Sequence, residues 1–318
     1  MKTLAAGLVG ALALVLPQAA SAAGCASFQV SGSDLNLTYD PFGVAPIERI
    51  FTLRIQRQDP AASAVRFILV DPDASGGVTR IGQGPEGYGI ESVRDPSRPL
   101  LFRGAEQPNA TNGLLTSFSQ GAGGDIATET LRLSVPAGRP APAGDFYEPI
   151  EVRFACETAD GSVSTPDYQQ GSQVAVDLRV PEKISTFIGA PGGRRGQISF
   201  GQLTAGGGMI QRDIVVTAQS TVPYSVELDA QRGRLQRQDE DDYGLDYQLR
   251  LSGLPIAPGG ELVCQRTPAP AGRSHNLEVQ LSQAQVGRVP AGSYSDTITM
   301  SFTPRLGLSG TDGCAAGF

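Results

Sequence analysis

The side chains that do most biological chemistry are scarce in this chain. It has one histidine, His275, and four cysteines, Cys25, Cys156, Cys264 and Cys314. A Ser-His-Asp triad or a Cys-His dyad would have to be built on His275. That residue lies in the polar stretch GRSHN, which reads as a surface loop. Zinc is no better served, because four separated cysteines and one histidine give no C-x-x-C pairing. GQGPEG (82–87) matches G-x-G-x-x-G letter for letter. Pro85 interrupts it and no helical pattern follows, so the strand–turn–helix context of a dinucleotide site is missing. GAPGGRRG (189–196) and TAGGGM (204–209) lack the Gly-Lys-Ser/Thr ending of a phosphate loop and read as linker and turn.

Carboxylates give two weak leads. DPDASG (71–76) starts like a calcium loop, but the bidentate Glu required at the twelfth position would fall on Gly82, so that reading fails. DEDD (239–242) beside Tyr243 is either a weak calcium site or a solvated acidic loop. No spacing singles out a carboxylate pair of glycosidase type. The expectation is a protein without catalytic residues, metal or cofactor.

The elements that would position any site are strands. Long helical periodicity is absent, and short alternating runs are separated by Gly, Pro, Asn and Asp, which is an all-β pattern. The N-terminus reads as a secretory signal peptide, residues 1–22: Lys2, an apolar run from Leu4 to Leu16, and Ala20-Ser21-Ala22 before the cut. A lipoprotein signal ending at Cys25 competes with it. About 295 residues remain, enough for two domains. The net charge of −7 argues against nucleic acid, which needs a basic footprint. An even number of cysteines in an exported chain suits two disulfides. Pairing within domains would join Cys25 to Cys156 and Cys264 to Cys314, although four cysteines allow three connectivities.

One plan is used twice. PAGDFYEPIEVRF (142–154) and PAGSYSDTITMSF (290–302) align without a gap. Phe146, Ile150, Val152 and Phe154 match Tyr294, Ile298, Met300 and Phe302, all on one face of a strand. The acidic interruption repeats as Glu148 and Asp296. Other expected strands include 49–56, 65–70, 197–203, 213–218, 224–229, 247–252 and 276–282. The patterning breaks between Val180 and Gly196, giving domains 23–182 and 183–318. The halves differ after the twin. SQVAVDLRV (172–180) alternates cleanly and can close the first sandwich, whereas 303–318 carries no alternating run. The second sandwich is therefore expected to lack its last strand, and such an edge invites a strand from another chain.

PAGSYSDTITMSF, with ISFGQLTAGG (198–207), VPYSVELDAQRGRL (222–235) and YQLRLSGLPI (247–256), resembles the spore coat U domain proteins, the pilins of archaic chaperone–usher pili. CASFQVSGSDLNLTYDP (25–41) is similar to that family's usual start. The resemblance implies immunoglobulin-like sandwiches, a periplasmic chaperone, an outer-membrane usher and assembly into a fibre by donor-strand complementation. Only Ala23 and Gly24 precede Cys25 after the signal peptide, so the resemblance implies a tip adhesin that accepts a strand and donates none. The chain departs from the pattern at Thr221, where such pilins often carry a cysteine.

The expected groove residues are Tyr294, Ile298, Met300 and Phe302. The expected adhesive loops are 84–93 and 112–124, with Tyr88, Ile90, Leu114, Leu115 and Phe118 as contact residues against an abiotic or host surface. The expected role is a cell-surface fimbrial tip subunit acting in attachment and biofilm formation. The rival is a free or lipid-anchored secreted enzyme or carbohydrate-binding protein. That rival requires the tail after Phe302 to return as a strand.

Overall fold

The computed structural model describes residues 24–31, 35–72, 78–120, 124–169, 174–240, 242–267, 269–305 and 313–316. The expected signal peptide lies outside them. Among the described residues the regular elements are all strands apart from a 3-10 turn at Gln283–Arg288. No helix there is long and apolar enough to cross a membrane.

The first half supplies β1 (Ala26–Ser31), β2 (Asn36–Thr38), β3 (Ile47–Arg57), β4 (Ala62–Asp71), β5 (Gly89–Ser92), β6 (Leu101–Arg103), β7 (Leu114–Ser117), β8 (Ile126–Val135), β9 (Gly144–Pro149), β10 (Glu151–Thr158), β11 (Asp167–Gln169) and β12 (Ala175–Val180). They form three sheets, ordered β1-β3-β8-β5, β11-β10-β4-β6 with β7 also on β4, and β2-β12-β9. Alternation explains the outer strands. In β3, Phe51, Leu53 and Ile55 point inward with Thr52 and Arg54 between them. β4 is buried along nearly its whole length, because β10 flanks it on one side and β6 and β7 on the other. Phe28 packs between Phe67 and Phe154, with ring centroids 5.4 and 5.0 Å away. Cys25 is bridged to Cys156.

The second half supplies β13 (Ile184–Ile188), β14 (Met209–Ser220), β15 (Tyr224–Ala230), β16 (Arg234–Arg237), β17 (Gly244–Leu251), β18 (Leu254–Ile256), β19 (Glu261–Cys264), β20 (Arg273–Ser282), β21 (Tyr294–Ser295), β22 (Ile298–Pro304) and β23 (Cys314–Ala316). One sheet runs β13-β14-β20-β17-β16-β21, with β18 on β17, and the other runs β22-β15-β19-β23. The two hydrophobic cores share no residue. Between them Thr221 does the tethering. Its hydroxyl donates to Pro181 O at 2.9 Å and accepts from Lys183 N at 2.8 Å, while its carbonyl accepts from Ala143 N at 3.0 Å. Lys183 Nζ pairs with Asp40, in the Tyr39-Asp40-Pro41 turn.

Three expectations are corrected. Residues 197–203 form no ladder, although Ile198 and Phe200 still pack on the core. Each twin is two strands, not one. The first breaks between β9 and β10 and the second between β21 and β22, within two residues of the aligned position, and each changes sheet there. His275 is not a surface residue. It is fully buried in β20, whose inward set is His275, Leu277, Val279 and Leu281. Its Nε2 meets Tyr224 Oη at 2.7 Å and its Nδ1 meets Ser252 Oγ at 3.0 Å. The strand begins earlier than its polar start implies, because Ser274 and Asn276 simply face outward.

Burial, with a smaller contribution from Arg273, pushes the His275 pKa down to about 4. The unfolded chain, near 6.5, therefore takes up its proton first as pH falls. Stability from this group is complete above about pH 6.5 and is lost as pH falls toward 4. Urea unfolding of the full chain from pH 7 to 4 should lose on the order of 3 kcal/mol from this source. In His275→Gln that part of the slope should vanish, and an unchanged slope would refute the assignment.

Candidate docking groove

β15 is the centre of the four-stranded sheet. β22 lies on one side of it, from Tyr224↔Pro304 to Ala230↔Ile298, and β19 on the other. β22 therefore ends the sheet, and its outer edge carries no ladder among the described residues. The tail after Phe302 does return as a strand, β23, but it pairs with β19 through Leu262↔Ala316 and Cys264↔Cys314. The Cys264–Cys314 bridge holds it at the edge of the sheet remote from β22.

The first sandwich shows the same strand covered. β10 has β4 on one side and β11 on the other, with Val152↔Gln169 and Phe154↔Asp167. Further along, Ile150 N donates to Val174 O at 2.9 Å, and β12 runs antiparallel to β9. The side chains respond to this cover. Ile150, Val152 and Phe154 are 1 %, 1 % and 2 % exposed, while their counterparts Ile298, Met300 and Phe302 are only half-buried, as is Tyr294.

The uncovered strand borders a groove of ≈ 1390 Å³ whose other wall is the unpaired segment 193–203. Ile214 and Val279 form part of its floor, and Ile198, Phe200, Ile298 and Met300 line its sides. The second wall lies close to the floor at Gly196, where a Cβ would come within 2.2 Å of Ile214 Cδ1. All four groove residues expected from the sequence line this cavity.

Polar side chains at the β21 end are already satisfied. Asp296 accepts from Tyr247 Oη at 2.6 Å, Arg232 N at 3.1 Å and Thr297 N at 2.7 Å. Burial, then the bond to Asp296, pushes the Tyr247 phenol pKa upward. Tyr294 Oη donates to Pro290 O at 2.7 Å. The groove therefore offers an apolar floor and a backbone edge. A bare strand edge of this kind can in general pair with an extended segment.

Other sequence leads fare differently. Tyr88, Ile90, Leu114 and Phe118, expected as surface contacts, are 2–8 % exposed and belong to the first core. Their strands turn them inward, and only Leu115, alternating with Leu114, faces solvent. Within DEDD, Asp239 and Glu240 pair with Arg237. Donor atoms of Cys264, His275 and Cys314 lie within 4.8 Å of one another. The disulfide accounts for that closeness, and both imidazole nitrogens are engaged.

No protein-family model matches the chain, and no curated protein matches it. Solved structures give distant likenesses. A chaperone–tip adhesin complex of CFA/I fimbriae matches at 15 % identity over 88 % of this chain and 98 % of the other, with TM-score 0.40. The CsuC–CsuE chaperone–tip adhesion subunit pre-assembly complex from archaic Csu pili of Acinetobacter baumannii matches at 12 % over 87 % and 100 %, with TM-score 0.39. A tip adhesin from Pseudomonas aeruginosa matches at 10 % over 87 % and 94 %, with TM-score 0.36. The fold described above rests on the strands themselves and not on these likenesses.

Alternate amides of an antiparallel strand point to opposite neighbours. In hydrogen exchange, about half of the β22 amides should therefore exchange quickly while those of β10 stay protected on both sides. Equal protection of the two strands would show that the β22 edge is covered.

Proposed function

We propose that this chain is the adhesive tip subunit of a chaperone–usher pilus, exported through the periplasm and displayed on the cell surface. The observation that carries this reading is the contrast between β10, covered on both edges, and β22, bare on one edge beside a groove into which Ile198, Phe200, Ile298 and Met300 project. An adjacent pilin subunit would donate the missing strand, its alternate side chains filling the groove beside Ile298, Met300 and Phe302. A periplasmic chaperone would occupy the same edge before assembly at an outer-membrane usher, since a bare strand edge invites aggregation. The first sandwich has its own strand in place and would face outward, toward an abiotic or host surface, in attachment and biofilm formation. The distant structural likenesses are to tip adhesins of such pili. The role is mechanical and non-enzymatic.

Fully burying four half-covered apolar side chains would gain roughly 4 kcal/mol, before any new backbone hydrogen bonds. A peptide of matching alternation should therefore raise the melting temperature of the full chain by several degrees, an effect of the order expected for a domain of this size. Met300→Asp, which places a charge on the groove wall, should abolish the rise. A peptide without effect on the unmodified chain would count against the docking role and favour a self-sufficient secreted protein.

A further inference from the structure

The charges around the docking groove are few and unevenly placed. The charged residues that line it are Arg194, Arg195 and Asp296. They stand at opposite ends. Ile188 N donates to Gly193 O at 2.8 Å, which fixes the start of the 193–203 wall at the end of β13. Ile188 pairs with Val216, Val216 pairs with His275, and the His275 ring lies 6.0 Å from that of Phe302. The two arginines therefore sit toward the Phe302 end of β22. At the far end of β20, Leu281 pairs with Tyr247, whose hydroxyl reaches Asp296 just before Ile298.

The two ends also differ in what their charges already hold. Asp296 accepts from Tyr247 Oη, Arg232 N and Thr297 N. Arg194 and Arg195 are exposed, and neither makes a side-chain hydrogen bond or ion pair among the described residues. Acids are not scarce, since the chain has 32 of them against 25 basic residues. Arg57, Arg66, Arg132 and Arg237 each hold one. The backbone on either side of the arginine pair is pressed onto the end of the groove. A Cβ at Gly193 would lie 2.4 Å from Ile188 O, and one at Gly196 would lie 2.2 Å from Ile214 Cδ1. Glycine at both positions allows this approach and places the two guanidinium groups at one mouth.

We infer that Arg194 and Arg195 select the occupant of the groove: an extended segment with an aspartate or glutamate at the end beside Phe302 and no acid at the end beside Asp296. This rests on the docking role proposed above. A guanidinium fork donates two parallel hydrogen bonds to a carboxylate. An acid at the opposite end would meet the charge of Asp296. An acid in the middle would be pressed among Ile198, Phe200, Ile298 and Met300 without a partner. Apolar alternation alone reads much the same in both directions along a strand. The charge pattern thus decides which segment docks and which way round it lies.

Peptides of one alternating apolar sequence, acetylated and amidated so that no terminal charge competes, test this on the full chain. One carries two glutamates at its N-terminal end, one carries them at its C-terminal end, and one has glutamine in their place. By fluorescence anisotropy at low salt, one of the acidic peptides should bind about fivefold tighter than the glutamine peptide. The advantage should shrink at about 0.5 M salt. The net charge of −7 works against this result, since by itself it favours the glutamine peptide. In Arg194→Gln with Arg195→Gln the advantage should vanish. In Arg194→Glu with Arg195→Glu it should pass to a lysine-ended peptide. Which acidic peptide wins gives the direction of the docked segment. If neither acidic peptide beats the glutamine peptide, or the advantage survives the glutamine variant, the arginines select nothing and the inference falls while the docking role stands. If no peptide binds, the docking role itself fails and takes the inference with it.

Discussion

A strand edge above an apolar floor is unstable until something lies along it. Its outward N–H and C=O groups need partners, and its inward side chains need cover. Much of this molecule is organised by how that constraint is met. The first sandwich meets it within the chain, because β11 lies along β10 and β12 along β9. In the second, the returning tail is drawn to β19 instead and held there by Cys264–Cys314, so β22 keeps its bare edge. The fold of this half is well formed around Tyr224, Val226, Leu251 and Leu281, all fully buried. The missing cover is confined to one groove.

The twin strands show how one local plan gives two outcomes. Each starts in one sheet and finishes in another, and each carries a carboxylate just before the change. At such a crossing the chain leaves one ladder before joining the next, and nearby loop amides are left to find other acceptors. Glu148 receives the amide of Gly82, and Asp296 receives that of Arg232. The acid is therefore part of the turn-over between sheets in both copies. In the first copy it is sealed beneath cover. In the second it also takes up Tyr247 Oη at the end of the groove.

Much of the architecture was legible in residue order. The alternation of Phe51, Leu53 and Ile55, and of Val174, Val176, Leu178 and Val180, assigns inner faces correctly, since a pleated strand turns successive side chains to opposite sides. Legibility failed where polarity and burial part company. His275 sits among polar neighbours yet faces inward with both nitrogens satisfied. Tyr88, Ile90, Leu114 and Phe118 lie in glycine-rich stretches that read as loops, yet short strands and the neighbouring sheets draw them into the core. Residues 197–203 keep a strand's alternation without a strand's partner.

Composition and period determined the all-β class, the repeated strand and which side chains of that strand face inward. These are local properties, set by side-chain alternation and by Gly and Pro breaks. Tertiary structure alone decided which edge the tail would cover and where each twin would change sheets. Strand pairing runs through backbone groups that are alike at nearly every residue. The partner of an edge is therefore chosen by long-range packing, register and the disulfides that fix them, and not by the letters along the strand itself.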